Sequence, residues 1–232
     1  MPRGVSDRYR GPGELPQVLP IFPLRGAILL PRATLALNVF EPRYLVLVDY
    51  ALAGDRLIGI VQPSPDAGDH ESPTGKSFPL RRVGCVGRIT SFSEGDDGRV
   101  MLSLTGIARF RLLHDVESDE PFRFCQVDYS EFATDFRSGH GEEDVDRPRL
   151  LTALRNYLTA NNLSADWDRI DSASNERLVN TLSILSPYGA EEKQALLEAR
   201  DLRARAEALV ALAEMELAAG TGTGGGSGST LQ

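Results

Sequence analysis

The feature that most constrains this chain is a change of hydrophobic period near its middle. Before about residue 133 apolar residues alternate with polar or small ones, the period of two that a pleated strand imposes. After about residue 147 they recur every three or four positions, the spacing of one helix face. Strands first and helices second predict an α+β architecture, with each half burying a different kind of surface.

The β half opens with Leu19-Pro20-Ile21-Phe22-Pro23-Leu24, apolar but broken by prolines. Proline cannot donate to a central ladder, so this segment is expected as an edge strand or extended arm. Leu35 and Leu37 alternate as a short second strand would. Phe40-Glu41-Pro42-Arg43-Tyr44 then leads into a helix, with Pro42 suited to its first position. Leu45, Val48 and Leu52 follow at helical spacing and Gly54 supplies a stop. Residues 57 to 61 form a short apolar strand, and residues 63 to 77 an exposed loop rich in Pro, Gly, Ser and Asp.

Beyond that loop Val83, Cys85 and Ile89 share one parity. Gly95-Asp96-Asp97-Gly98 makes a turn, and Val100, Leu102 and Leu104 return on the far side. Ala108, Phe110 and Leu112 continue the pattern, then Cys125, Val127 and Tyr129. Six or seven strands and one helix predict a partly closed, mostly antiparallel barrel or sandwich.

In the helical half, Asp146 is placed to cap a helix starting near Pro148 and carrying Leu150, Leu151, Leu154 and Leu158. Ser174 caps a second, with Leu178, Leu182 and Leu185. A third pattern from about Ala190 to Ala218 reads as one helix about 43 Å long. The expected division is a flexible segment (1–16), a β domain (17–133), a linker (134–146), a helical bundle (147–219) and a Gly/Ser-rich flexible tail (220–232).

Several chemistries find no support. A net charge of −8 argues against a nucleic-acid partner, which calls for a basic footprint. No apolar run approaches the ~18 residues of a membrane span, and Met1 to Gly13 lacks the apolar stretch of a signal peptide, so a cytoplasmic protein is expected. Lys76 and Lys193 are the only lysines among 25 basic residues, so an arginine here is not functional merely for being arginine. Cys85 and Cys125 stand outside any CxxC pair and read as small buried hydrophobes, not zinc ligands.

Gly75-Lys76-Ser77 resembles the end of a phosphate loop, but His70 stands where the first glycine belongs and Pro79 opposes the helix that must follow. His70-Glu71 begins like HExxH, yet Thr74 occupies the fifth position. The other histidines, His114 and His140, are scattered, and the acidic runs 94–97 and 142–144 read as solvated turns. No cofactor, metal or catalytic residue is expected.

Taken in order, several segments resemble a known family. They are Leu19 to Leu24, Phe40 to Tyr44, Gly87-Arg88-Ile89, Gly98-Arg99 and Leu104-Thr105-Gly106-Ile107-Ala108-Arg109-Phe110. In the helical half Glu176-Arg177-Leu178-Val179-Asn180 and Glu192-Lys193-Gln194-Ala195-Leu196-Leu197-Glu198 extend the series. Together, over about residues 17 to 215, they are similar to the N-terminal substrate-binding domain of Lon proteases.

The resemblance implies a PUA-like β domain plus a helical bundle, and recognition of exposed apolar or unfolded polypeptide, with a protease or chaperone system as partner. Lon's ATPase and Ser–Lys peptidase modules are not found in these 232 residues, so no enzyme activity is expected. The alternatives are a small-molecule or RNA-binding module of PUA-like type, or a hydrolase with an unrecognised site. Two recognition routes are open: strand addition at a sheet edge near the first strand, or an apolar groove between barrel and helices. The residues expected near such a surface are Phe22, Phe40, Tyr44, Arg109 and Phe110. Their competing reading is structural: Phe40 and Tyr44 as core anchors, Arg109 and Arg111 on a solvated strand face, Gly106 at a bend. Oligomeric state is left open.

Overall fold

A computed structural model describes residues 6–67 and 78–222. The loop motifs at residues 70–77 and most of the Gly/Ser-rich tail lie outside them. Among the described residues six strands form one sheet: β1 (Val18–Pro23), β2 (Thr34–Val39), β3 (Leu57–Pro63), β4 (Leu80–Glu94), β5 (Val100–Val116) and β6 (Arg123–Asp128). Their order is β2-β5-β4-β3-β1-β6, and a further pairing of β6 with β5 closes five of them into a barrel. All pairs are antiparallel except β1 with β3. Helix α1 (Pro42–Ala53) starts at Pro42, as its sequence predicts.

The first strand departs from expectation. It is not an edge but lies between β3 and β6. Val18 to Ile21 pair with β6, whereas Ile21 to Pro23 pair with β3. The two neighbours thus divide the strand, and each proline sits where only one of them is paired. That division removes the conflict between proline and an interior position.

The barrel strands bury both faces. Leu19, Ile21, Val61, Val86, Phe110, Cys125 and Val127 fill the barrel interior. Outward-facing Ile60, Val83, Cys85 and Leu104 join a second core with α1 and the helical half. Gly84 makes room for the central ring: a Cβ there would meet Phe110 at 2.7 Å and the Ile60 carbonyl oxygen at 2.6 Å. Gly106 permits a closer approach still. A Cβ on it would lie 2.0 Å from the Leu30 carbonyl oxygen, because residues 30–33 pack onto this point. Gly106 N donates to Ala33 O, and Arg32 N donates to Gly106 O. The β4–β5 register slips here, so the expected irregularity is real.

Two 3-10 segments, Ser130–Phe136 and Glu142–Asp144, carry the chain to the helices α2 (Arg147–Ala160), α3 (Trp167–Ser172), α4 (Asn175–Leu185), α5 (Ala190–Glu198) and α6 (Leu202–Gly222). Asp146 and Ser174 accept from Arg149 N and Arg177 N, as their capping positions predict. The single long helix expected from Ala190 onward is instead two. The break at residues 199–201 is held by side chains from elsewhere: Arg109 donates to Leu197 O and Ala199 O, and Arg205 to Leu196 O. Asp201 then accepts from Ala204 N and opens α6. Two guanidiniums on the last carbonyls of α5 complete a terminus that has no glycine or proline to end it.

Candidate polypeptide-binding surface

The outer halves of β4 and β5 run beyond the barrel and carry β2 along one side, forming a three-stranded tongue. Among the described residues β2 has a neighbouring strand only in β5, so its other side is a free edge. Register places side chains on the two faces. Asn38 opposes Met101, which puts Met101 and Phe40 on one face; Leu37 opposes Leu102 and Leu102 opposes Phe92, on the other. Phe40 is 60% exposed and Met101 62%, with Phe92 also exposed and Leu35 and Leu37 half-buried. Arg99 holds its guanidinium 5.8 Å from the Phe40 ring centre while pairing with Asp97 at 3.1 Å. An unpaired strand edge flanked by large exposed apolar side chains can accept an extended segment, because backbone groups bond any sequence and the flanking pockets add apolar contact.

Of the five residues expected near a binding surface, Phe40 alone is at the surface. Phe22 of β1 stacks on Tyr44 of α1 with ring centres 4.2 Å apart, and both are buried. Phe110 is fully buried in the barrel, edge-on to Tyr129. Arg109 is buried too, which corrects its reading as a solvated residue. The strand face was assigned correctly, but the helical half covers that face. Arg111, two residues on, lies past the cover and stays half-exposed, paired with Glu131.

The second route, an apolar groove between the barrel and the helices, is not what lies near α1, where the lining comes from β5, β6 and the segment between them. A concavity of about 580 Å³ is lined by Val116, Phe122 and Phe124 and rimmed by Asp115, Glu117 and Asp119. Tyr50 packs edge-on to Phe124, with centres 5.2 Å apart. Beneath it the Cys125 thiol donates to Asp115 at 3.2 Å; burial, then that bond, push the thiol up to about 12. Sequence reasoning missed Tyr50 because it set the apolar face of α1 on Leu45, Val48 and Leu52. The buried face is Tyr44, Leu47, Val48 and Ala51, which turns Val46 and Tyr50 outward. Phe92 and Met101 had a usable signal: each is a large apolar residue beside the Gly95–Gly98 turn, where a strand has left its core. Both cysteines are free and buried, and among the described residues no three metal-ligating side chains gather.

Residues 18–214 match the family described as the ATP-dependent protease La (LON) substrate-binding domain. The chain belongs to this family. Lon protease of Syntrophus aciditrophicus (strain SB) is 27% identical over 223 residues, covering 88% of this chain and 26% of that protein. Lon protease 2 of Myxococcus xanthus is 28% identical over 204 residues, 85% and 23% of the two. This chain therefore spans about a quarter of the length of the curated Lon relatives it matches.

Among solved structures, a Lon N-terminal domain protein from Xanthomonas campestris superposes with a TM-score of 0.58 at 25% identity, over 84% of this chain and 97% of that one. The N-terminal domain of a Mycobacterium avium complex Lon protease gives 0.62 at 15% identity, over 85% and 98%; at that identity the likeness is one of fold. The Lon substrate-binding fold thus has a barrel with a free-edged tongue on one side and helices packed on the other in this chain. None of its described helices is long and apolar enough to cross a membrane.

Proposed function

We propose that this Lon substrate-binding domain recognises unfolded or exposed apolar polypeptide without acting on it chemically, and that the β2 edge is where the segment docks. The observation that carries this reading is the free edge itself, bordered by Phe40 and Met101. Main-chain pairing suits a receptor that must accept many sequences, since every unfolded segment offers the same N–H and C=O groups. The apolar borders then favour segments whose hydrophobic residues are not already buried in a fold. Service to a cytoplasmic protease or chaperone system follows from the same reading.

The test is a fluorescence-anisotropy titration with one labelled model polypeptide, unfolded and folded, followed by intact-mass analysis of the same tubes. The unfolded form should bind selectively and remain intact. A Phe40→Ser/Met101→Ser double variant should bind about tenfold more weakly, equivalent to about 1.4 kcal/mol, with an unchanged Tm. Equal affinity in the variant would move the site off the tongue; no binding by the parent protein would sink polypeptide recognition; fragments would mean a catalytic site exists.

A further inference from the structure

Behind the barrel, where the helices meet it, lies a polar cleft of about 400 Å³ whose floor includes Arg32, Arg109, Arg205, Asp135, Glu176 and Asn180. Its hydrogen bonds can be followed atom by atom. Each guanidinium nitrogen of Arg109 is engaged: Nε and Nη2 bind the two oxygens of Asp135 at 2.9 and 2.8 Å, and Nη1 binds Leu197 O and Ala199 O at the end of α5. Asp135 Oδ2 also accepts the Arg109 backbone N–H, so all three bonds to this carboxylate come from Arg109. Glu176 pairs with Arg32 through Oε1 and accepts Gly139 N through Oε2, so it too is committed.

Arg205 is left over. It is 3% exposed, and its Nε and Nη1 reach only neutral acceptors, Leu196 O and Asn180 Oδ1. Among the described residues its Nη2 has no acceptor, and neither does Nε of Arg32; both atoms are buried. Three guanidiniums therefore share two carboxylates at the floor, and two donor nitrogens remain without a partner among the described residues. A buried cation without a counter-charge is costly, and an unsatisfied buried donor adds to that cost. Burial, reinforced by the charge of Arg109, pushes Arg205 down to about 9, the direction expected of a cation lacking its anion.

We infer that this cleft binds a small oxyanion, phosphate or carboxylate in kind, between Arg32 and Arg205. One such ion supplies the missing charge and two acceptors together, and guanidinium forks match the geometry of both anion types. The rim carries both signs of charge. Glu143, Asp144 and Asp201 line it among Arg137, Arg200 and Arg203, and Arg200 is already paired with Asp201 at 3.1 Å. The cleft adjoins the start of β2 through Arg32, so anion binding is measured with no polypeptide present and its failure is told apart from a failure of polypeptide binding.

The experiment is thermal unfolding and calorimetric titration of the full chain with inorganic phosphate, and in a second arm acetate, at constant ionic strength against chloride. One of the two ions should raise Tm saturably, and which one does identifies the ligand type. Arg205→Met should abolish the response. Arg32→Gln, at a partly exposed position, should weaken it at least tenfold and keeps the test informative if the first variant does not fold. No saturable response to either ion, or an undiminished response in the folded variants, overturns the inference.

Discussion

Two arginine–aromatic pairs along β5 and its entry turn have opposite surroundings. Arg99, just before β5, sits over Phe40 with Asp97 as its ion-pair partner, all three in solvent. Arg109, ten residues later, sits 4.6 Å from the Phe132 ring centre with Asp135 as partner, all three buried. The chemistry is the same and the energetic role is not. In water the Arg99 pair is screened and adds little to stability, so it can rearrange around a partner at small cost. Under the helices the Arg109 pair works in a low dielectric with each guanidinium nitrogen bonded, and it cannot be opened without stranding a charge. One end of β5 is thus adaptable surface; the other locks the helical half to the barrel.

The sharpest way to break this comparison is to remove the same charge from both ends. Asp135→Asn should cost about 3–5 kcal/mol, the range for breaking one partner out of a buried pair, because Arg109 and Arg205 would then lie side by side with no carboxylate between them. Asp97→Asn should leave stability unchanged within the scatter of the measurement. Urea unfolding of both variants decides it. A mild effect at Asp135 would mean that the helical half is held by its apolar core and by the Gln62–Gln194 contact, and that the arginine network is incidental.

Gly106→Ala sharpens the comparison at the point where the two ends of the strand meet. Its Cβ would collide with the Leu30 backbone, which cannot swing away as a side chain could. A loss of about 1–3 kcal/mol is expected. Residues 30–33 also deliver the chain into β2, so the displaced backbone should weaken polypeptide binding as well. Gly84→Ala, which crowds the Phe110 ring and the Ile60 carbonyl instead, should destabilise the barrel and leave binding to the folded fraction intact. If both glycine variants bind normally, the tongue does not depend on its anchorage.

How much of this was legible in the sequence depends on where each instruction is written. Alternation marked the strands, Pro42 opened α1, and Asp146 and Ser174 announced their helices, because these signals act within a few residues of where they stand. The break between α5 and α6 was illegible because the groups that complete it, Arg109 and Arg205, come from another strand and from the next helix. Only Asp201, a capping residue inside a helical pattern, hinted at it. Periodicity put Arg109 on the outer face correctly but could not say what covers that face. The prolines of β1 misled for a related reason: their cost depends on which neighbour pairs with which half of the strand. At the candidate site, Phe40 was found through its motif, while Met101, Phe92 and Tyr50 emerged only when register and helix rotation were fixed.

The smallest effect offers the finest probe of the locked end. Cys85 lies directly across from Arg109 in the β4–β5 register, and burial, with the charge of Asp135 adding to it, holds its thiol well above the ordinary 9.0. A thiol raised in this way keeps its proton more firmly in the folded state than in the unfolded one. Its contribution to stability is therefore complete below pH 9 and is lost as the pH climbs through the folded value. The parent protein should lose stability on going from pH 8 to 10.5, and Cys85→Ala should lose measurably less over the same window. At pH 8 a disulfide reagent should label Cys85 no faster than the protein unfolds. Asp135→Asn both loosens the cover and removes a charge that disfavours the thiolate, so it should speed labelling more than loss of stability alone requires. Fast labelling of the parent protein would mean that the covered end of β5 opens locally, and the contrast with Arg99 would then be one of degree.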